Sequence, residues 1–300
     1  MAPMSFVVGT ASWTDKTLID CGRFYPADCK TPEARLRYYA SIFPLVEVDT
    51  SYYAIPAPAM AQQWAERTPD HFVFNVKAFR LFTGHMTETK VLPRDIQQAL
   101  GTRRRLHHKT VPEDIRTELW KRFAEALEPL RRAGKLGLVH FQFPPTVQYG
   151  NEAMARVEAC RAQLPQHTLS IEFRHKSWWD GPARVASTLD FLRIHRLVHT
   201  VVDGPQGADN SVPAVWETTH ADWLLLRLHG RNIESYNAPA RTAAERFDYD
   251  YPDQELAGLA DDLVRMAPTA RNKHVVFNNC DEDKGQRNGI AFMKLLSARS

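Results

Sequence analysis

Cysteine is scarce in this chain: Cys21, Cys29, Cys160 and Cys280 are the only four in 300 residues, and no two have CxxC spacing. That excludes a zinc ribbon and a disulfide scaffold, and leaves reduced, structural thiols as the expectation. Long apolar runs are missing too, since nothing approaches the roughly 20 residues a membrane helix needs. The start, MAPMSFVVGT, lacks the basic region and apolar stretch of a secretion signal, so a cytoplasmic protein with no membrane partner is expected. Charge of one sign is not in excess: the formal net charge of +3 does not by itself call for a nucleic-acid or membrane partner. A glycine-rich phosphate turn is also absent. Gly9-Thr10-Ala11-Ser12-Trp13 is not GxGxxG, which argues against a doubly wound dinucleotide fold.

What is present is alternation. Short β-branched or aromatic runs occur at Phe6–Ala11, Leu45–Asp49, Phe72–Ala78, Gly137–Phe143, Leu169–Arg174, Leu197–Asp203, Trp223–Gly230 and His274–Asn278. Helical patterns lie between most of them: Pro32–Phe43, Ala59–Arg67, Glu113–Ala133, Glu152–Leu164, Pro182–His195 and Gln254–Met266, with Gly289–Ala298 last. Only 204–217 looks helix-poor. Eight strand–helix repeats are the pattern of an α/β (β/α)8 TIM barrel, so residues 1–300 are expected to form one domain. Two connections exceed what structure needs. Arg80–Pro112, after the third strand, contains the basic run Gly101–Lys109 and is expected to be a lid insertion; Arg231–Asp253, after the seventh, carries Tyr236, Phe247, Tyr249 and Tyr251.

Side chains alternate along a strand, so residues two apart share a face. By that rule Glu47 and Asp49, Asn75 and Lys77, His140 and Gln142, and Glu172 and Arg174 each share a polar face. So do His199 and Asp203, Arg227 and His229, and His274 and Asn278. The opposite faces are apolar and must meet the helices, which turns the polar ones into the barrel. Ordinary barrel interiors are filled with Val, Ile and Leu. Buried ionisable groups cost several kcal/mol unless paired, so these must form ion-pair networks, hold water or meet a ligand.

The ordered motifs Gly9-Thr10-Ala11-Ser12-Trp13, Tyr38-Tyr39 with Phe43, Val46-Glu47-Val48-Asp49 with Tyr52-Tyr53, Phe72–Lys77, Gln142-Phe143-Pro144-Pro145, Glu172-Phe173-Arg174-His175 with Ser177-Trp178, Arg227–Gly230 and Phe277-Asn278-Asn279 resemble the YecE-like family, domain of unknown function 72. The resemblance spans essentially the whole chain. It implies a TIM barrel and no established activity. In that family a Thr-His pair follows the third strand; here Gly84 separates Thr83 from His85.

The first chemical expectation is an enzyme, a hydrolase or an isomerase, acting on an anionic small molecule such as a phosphorylated or carboxylated sugar-like compound. Glu47, Glu172 and His229 would be its catalytic acid/base groups. Lys77, Gln142, Arg174, Asp203, Arg227, Asn278, Trp178 and Tyr53 would bind the substrate. No cofactor is required by the sequence. A variant places a divalent metal on Glu47, Glu172, Asp203 and His229, without the support of a tight ligand spacing such as HxH. An alternative from another class is nucleic-acid binding or processing, with Arg103–Arg105 tracking phosphates and the rim aromatics Trp13, Tyr52, Tyr53, Trp178 and Trp179 stacking bases.

Overall fold

Among the described residues ten strands form in chain order: β1 Phe6–Ala11, β2 Leu45–Val48, β3 Val73–Lys77, β4 Thr87–Glu88, β5 Arg105–Leu106, β6 Leu136–Phe143, β7 Leu169–Phe173, β8 Val198–Asp203, β9 Trp223–Leu228 and β10 Asn272–Phe277. The computed structural model describes residues 6–207, 211–237, 243–266 and 270–299. All strands but β4 and β5 run parallel in one closed barrel, with β1 bonded to both β2 and β10. This is the expected TIM barrel, and every expected strand is present within two residues of its bounds.

The helices follow the start signals in the sequence. Thr31 caps Pro32–Ile42 by accepting from Ala34 N–H at 3.1 Å, and prolines open Pro58–Glu66 and Pro182–Ile194, where a missing N–H costs nothing. The last helix is the exception, beginning at Lys284 instead of Gly289. Its extra first turn buries Gly285, Gln286 and Asn288, polar or small residues that an apolar periodicity does not register. Among the described residues no helix is long and apolar enough to cross a membrane.

Outward strand residues pack on the helices in large aromatic clusters, while Leu45, Leu138, Val198, Leu225 and Val276 plug the inside of the barrel. Beside this plug the ladder between β3 and β6 is interrupted, and the Asn75 side chain takes over, accepting from Leu138 N–H at 2.9 Å and contacting His274 Nδ1 at 2.9 Å. Gly137 leaves the room for this, since a Cβ there would stand 2.5 Å from Asn75 Oδ1.

The expected orientation of β8 is reversed. Ser170 pairs with Val198, and Val202 with Arg227, so Val198, Thr200 and Val202 share the inward face with Ser170 and Arg227. His199 and Asp203 point outward. His199 Nε2 meets the Val215 carbonyl at 3.0 Å, and Asp203 takes a bidentate pair from Arg231 and a 2.7 Å bond from Tyr251. An outward face normally meets apolar helix surface; here it meets a helix-poor connection and a tyrosine-rich loop, which supply polar partners.

Candidate active site at the barrel mouth

At the centre of the barrel lies Arg227, wholly buried. It donates to Glu47 Oε1 and to Glu172 Oε2, each at 2.6 Å. Glu172 also accepts from Gln142 at 2.7 Å, Arg174 at 2.9 Å and His229 at 3.2 Å, and His140 Nε2 lies 3.4 Å away. Burial opposes its charge, but Arg227 and His229 hold the carboxyl well below the usual range. With both oxygens occupied, Glu172 is an ionised anchor and not a proton carrier. Asn278 donates its amide N–H to His229 Nδ1 at 2.7 Å, which leaves the ring proton on Nε2, facing Glu172. Burial lowers His229 to about 3, so this imidazole is neutral and fully engaged.

Above this network opens a cavity of about 600 Å³ at the C-terminal ends of the strands, large enough for a small metabolite. Of the residues named above as substrate-binding, Lys77, Gln142, Arg174, Asn278 and Tyr53 line it, together with Asp15, Asp49, Tyr52, His85, Tyr236, Arg246 and Phe247. Arg174 gives its second terminal nitrogen to the Tyr236 hydroxyl at 2.7 Å, and the Phe247 ring stacks on His229 at 5.1 Å. The Lys77 ammonium lies 3.4 Å from Asp49 Oδ1 and 5.1 Å from the Tyr52 ring centre.

Two carboxyls are shifted toward neutrality. Burial raises Glu47 to about 7 against the pull of Arg227, and burial with the nearby Asp49 charge raises Asp15 to about 7. Asp15 was not singled out by the sequence, because it lies in the connection after β1, outside every expected strand; in the structure it immediately precedes the helix Lys16–Asp20. Its side chain makes no capping bond there and faces the cavity instead. His85 recovers the Thr-His pair across an inserted glycine. Gly84, at φ +93°, turns the chain so that His85 Nδ1 meets Thr83 Oγ1 at 2.9 Å.

Other expected binding residues lie elsewhere. Asp203 is outside the barrel, and Arg227 is sealed beneath the cavity between its two glutamates. Trp178 is a core residue, stacked on Phe173 at 3.5 Å and donating to the Val147 carbonyl. Trp13 and Trp179 are likewise buried, so among the expected rim aromatics only Tyr52 and Tyr53 line the mouth. The metal set falls apart for the same reason: Asp203 faces away, and Arg227 occupies Glu47 and Glu172. Among the described residues no three His, Cys, Asp or Glu side chains converge to hold a metal ion. The insertion 80–112 contributes only His85 to the cavity; Tyr236, Arg246 and Phe247 come from the connection after β9.

Residues 7–300 match the sequence profile of a family described as "Protein of unknown function DUF72". The chain is 30% identical over 292 residues to the UPF0759 protein YunF of Bacillus subtilis (strain 168), covering 96% of this chain and 94% of that protein. Among solved structures it is similar to a DUF72 family protein from Enterococcus faecalis V583, with TM-score 0.80, 26% identity and coverage of 98% and 96% of the two chains. A DUF72 family protein from Thermotoga maritima MSB8 is similar at TM-score 0.76 and 28% identity, with coverage of 97% and 99%.

Proposed function

The chain belongs to the family of proteins of unknown function DUF72, a name that specifies no reaction, and from its site we propose an enzyme that performs acid/base chemistry on an anionic small molecule held at the barrel mouth. The substrate is phosphorylated or carboxylated and of sugar size. Lys77 carries this reading. Its ammonium lines the cavity, and its one ion-pair partner among the described residues is Asp49, at 3.4 Å and without hydrogen-bond geometry. A lysine held 8% exposed in this way keeps donors to offer an anion. Arg174 adds a second cation, fixed by Glu172 and Tyr236, and Gln142 and Asn278 present amides for hydroxyl groups. Asp15, titrating near neutrality, is matched to proton exchange at the substrate, and Glu47 beneath the floor is a second neutral-range carboxyl. Glu172 and His229 then serve to position Arg174.

Titration of the protein with inorganic phosphate in a calorimeter tests this. The Lys77→Met variant is expected to bind phosphate about tenfold more weakly or worse, the usual scale for losing one charge-assisted anion contact. Equal binding by the two proteins would remove the anion-holding role.

A second reading, nucleic-acid binding, rests on a separate surface. Lys90, Arg94, Arg103, Arg104 and Arg105 line an open cavity of about 880 Å³ around the β4–β5 hairpin, facing the single acid Glu88, which pairs with Lys90. Among the described residues Arg94, Arg104 and Arg105 have no ion-pair partner within 4.0 Å, so the basic run is not neutralised internally. Binding of a fluorescent single-stranded oligonucleotide at rising salt tests it. Replacing Arg103, Arg104 and Arg105 by serine is expected to flatten the log–log salt slope by about 2, from about 0.7 per phosphate contact. An unchanged slope would dismiss the reading.

A further inference from the structure

A third cavity, of about 470 Å³, lies beneath the insertion, between it and the helices Glu113–Arg132 and Asn151–Gln163. It is distinct from the mouth: Leu81 and Phe82 line it, whereas His85, beyond the turn at Gly84, lines the mouth. Its wall is aromatic, with Phe82 and Trp120 stacked at 3.6 Å and nearly parallel. Its charged groups are Lys109, Arg116 and Arg156 against Glu113 and Glu152, three cations to two carboxylates. Lys109 holds Glu152 at 2.5 Å, and Arg116 lies 3.7 Å from Glu113.

Arg156 is the cation left over. Its side chain is only 14% exposed, and among the described residues its one acid contact is the same Glu152 at 3.4 Å, a carboxylate already engaged by Lys109. Its guanidinium lies against Gly84, where a Cβ would come within 2.4 Å of Nη1. A guanidinium stays protonated, so a largely buried one with half a partner favours an anion. Beside it His108 has a buried Nδ1 with no hydrogen-bond partner, and its ring is kept neutral, lowered to about 4 chiefly by burial and by Arg156. A neutral ring of this kind can donate to an oxygen.

We propose that this cavity binds an amphipathic organic anion, an aromatic or short-chain compound whose apolar body packs on Phe82, Trp120 and Val111 while its carboxylate meets Arg156 and His108. The volume suits a ligand of this size, and apolar walls with a few convergent polar groups are what such sites consist of. The aromatic wall supplies burial and the unmatched guanidinium supplies selection for charge.

The test uses 4-phenylbutanoate and its neutral analogue 4-phenylbutanamide as probes, with the full-length chain and calorimetric or ligand-observed NMR detection. The acid is expected to bind at least tenfold more tightly than the amide, and Arg156→Met to erase that preference. A second variant, Ala159→Phe, fills the cavity from an exposed helix position and leaves Arg156 in place; it is expected to abolish binding of both probes while the thermal melt stays cooperative. Equal binding of acid and amide by the wild type, or acid binding unchanged in a folded Arg156→Met or Ala159→Phe protein, would overturn the proposal.

Discussion

Replacing Arg227 by methionine is expected to lower the stability of this protein by about 3–5 kcal/mol, the usual cost of removing one partner from a buried ion pair. Glu47 and Glu172 each lie 2.6 Å from this guanidinium, and none of the three side chains is exposed. Methionine fills much of the arginine's volume, so the loss comes from two stranded carboxyls more than from a void. For a chain of this size the melting temperature should fall on the order of 10 °C, at roughly 2–4 °C per kcal/mol. The triple variant Glu47→Gln, Arg227→Met, Glu172→Gln removes the stranded charges and should recover a large part of the loss. Urea and thermal melts of the single and triple variants decide the matter. If Arg227→Met melts like the wild type, Arg227 is not the electrostatic keystone inferred from its two contacts.

Acidification is the second large effect expected. His140 and His199 are lowered to about 4 and His229 and His274 to about 3, in each case chiefly by burial. Histidines in the unfolded chain protonate near pH 6.5, so between roughly pH 4 and 6.5 the unfolded state binds protons that the native state refuses. Stability therefore falls as pH falls through that window. Glu47 and Asp15 act in the opposite sense. Raised to about 7, they hold protons in the native state that the unfolded chain releases above about pH 4.5, which weakens the slope. These four histidines against the two carboxyls leave a net of about two protons, or about 3 kcal/mol per pH unit at 1.4 kcal/mol each, and His85 and His108, also lowered to about 4 chiefly by burial, steepen the slope further. Below pH 4.5 the loss steepens, because Glu172 and Asp49 are held below the ordinary range: burial raises both, but Arg227 with His229, and Lys77 with Arg227, outweigh it. Urea melts between pH 5 and 7 measure the slope. A stability that is flat or rises on acidification across that range would contradict the neutral assignment of these histidines.

The barrel was legible because its signals are local. A parallel strand buried on both faces must be β-branched or aromatic, and proline and threonine mark helix starts by rules that act within one turn. The same period-2 argument correctly turned Glu172, Arg174, Arg227, His229 and Asn278 inward, since β7 alternates throughout and at the C-terminal ends of β9 and β10 the apolar Leu228 and Phe277 stand next to the polar residues and mark the opposite face. It failed in β8. There Thr200 and Val201 break the alternation of Val198 and Val202 with His199 and Asp203, each face carries both polar and apolar residues, and only the partners on each side decide which set faces in. Asp15 was missed because it lies in the connection after β1, where no strand alternation tells which way a side chain points.

The sequence by itself therefore determined the eight-stranded barrel and the polarity of most of its inner face, because both follow from alternation along single strands. The tertiary structure alone decided who pairs with whom. Arg227 joins Glu47 across 180 positions of chain because barrel closure brings β2 and β9 to facing sides of one interior, a distance that no local pattern encodes. That choice makes Glu172 an anchor and leaves Lys77 with donors to offer. It also brings Asp15, ordinary in sequence, into a cavity where burial and Asp49 move its carboxyl to neutrality.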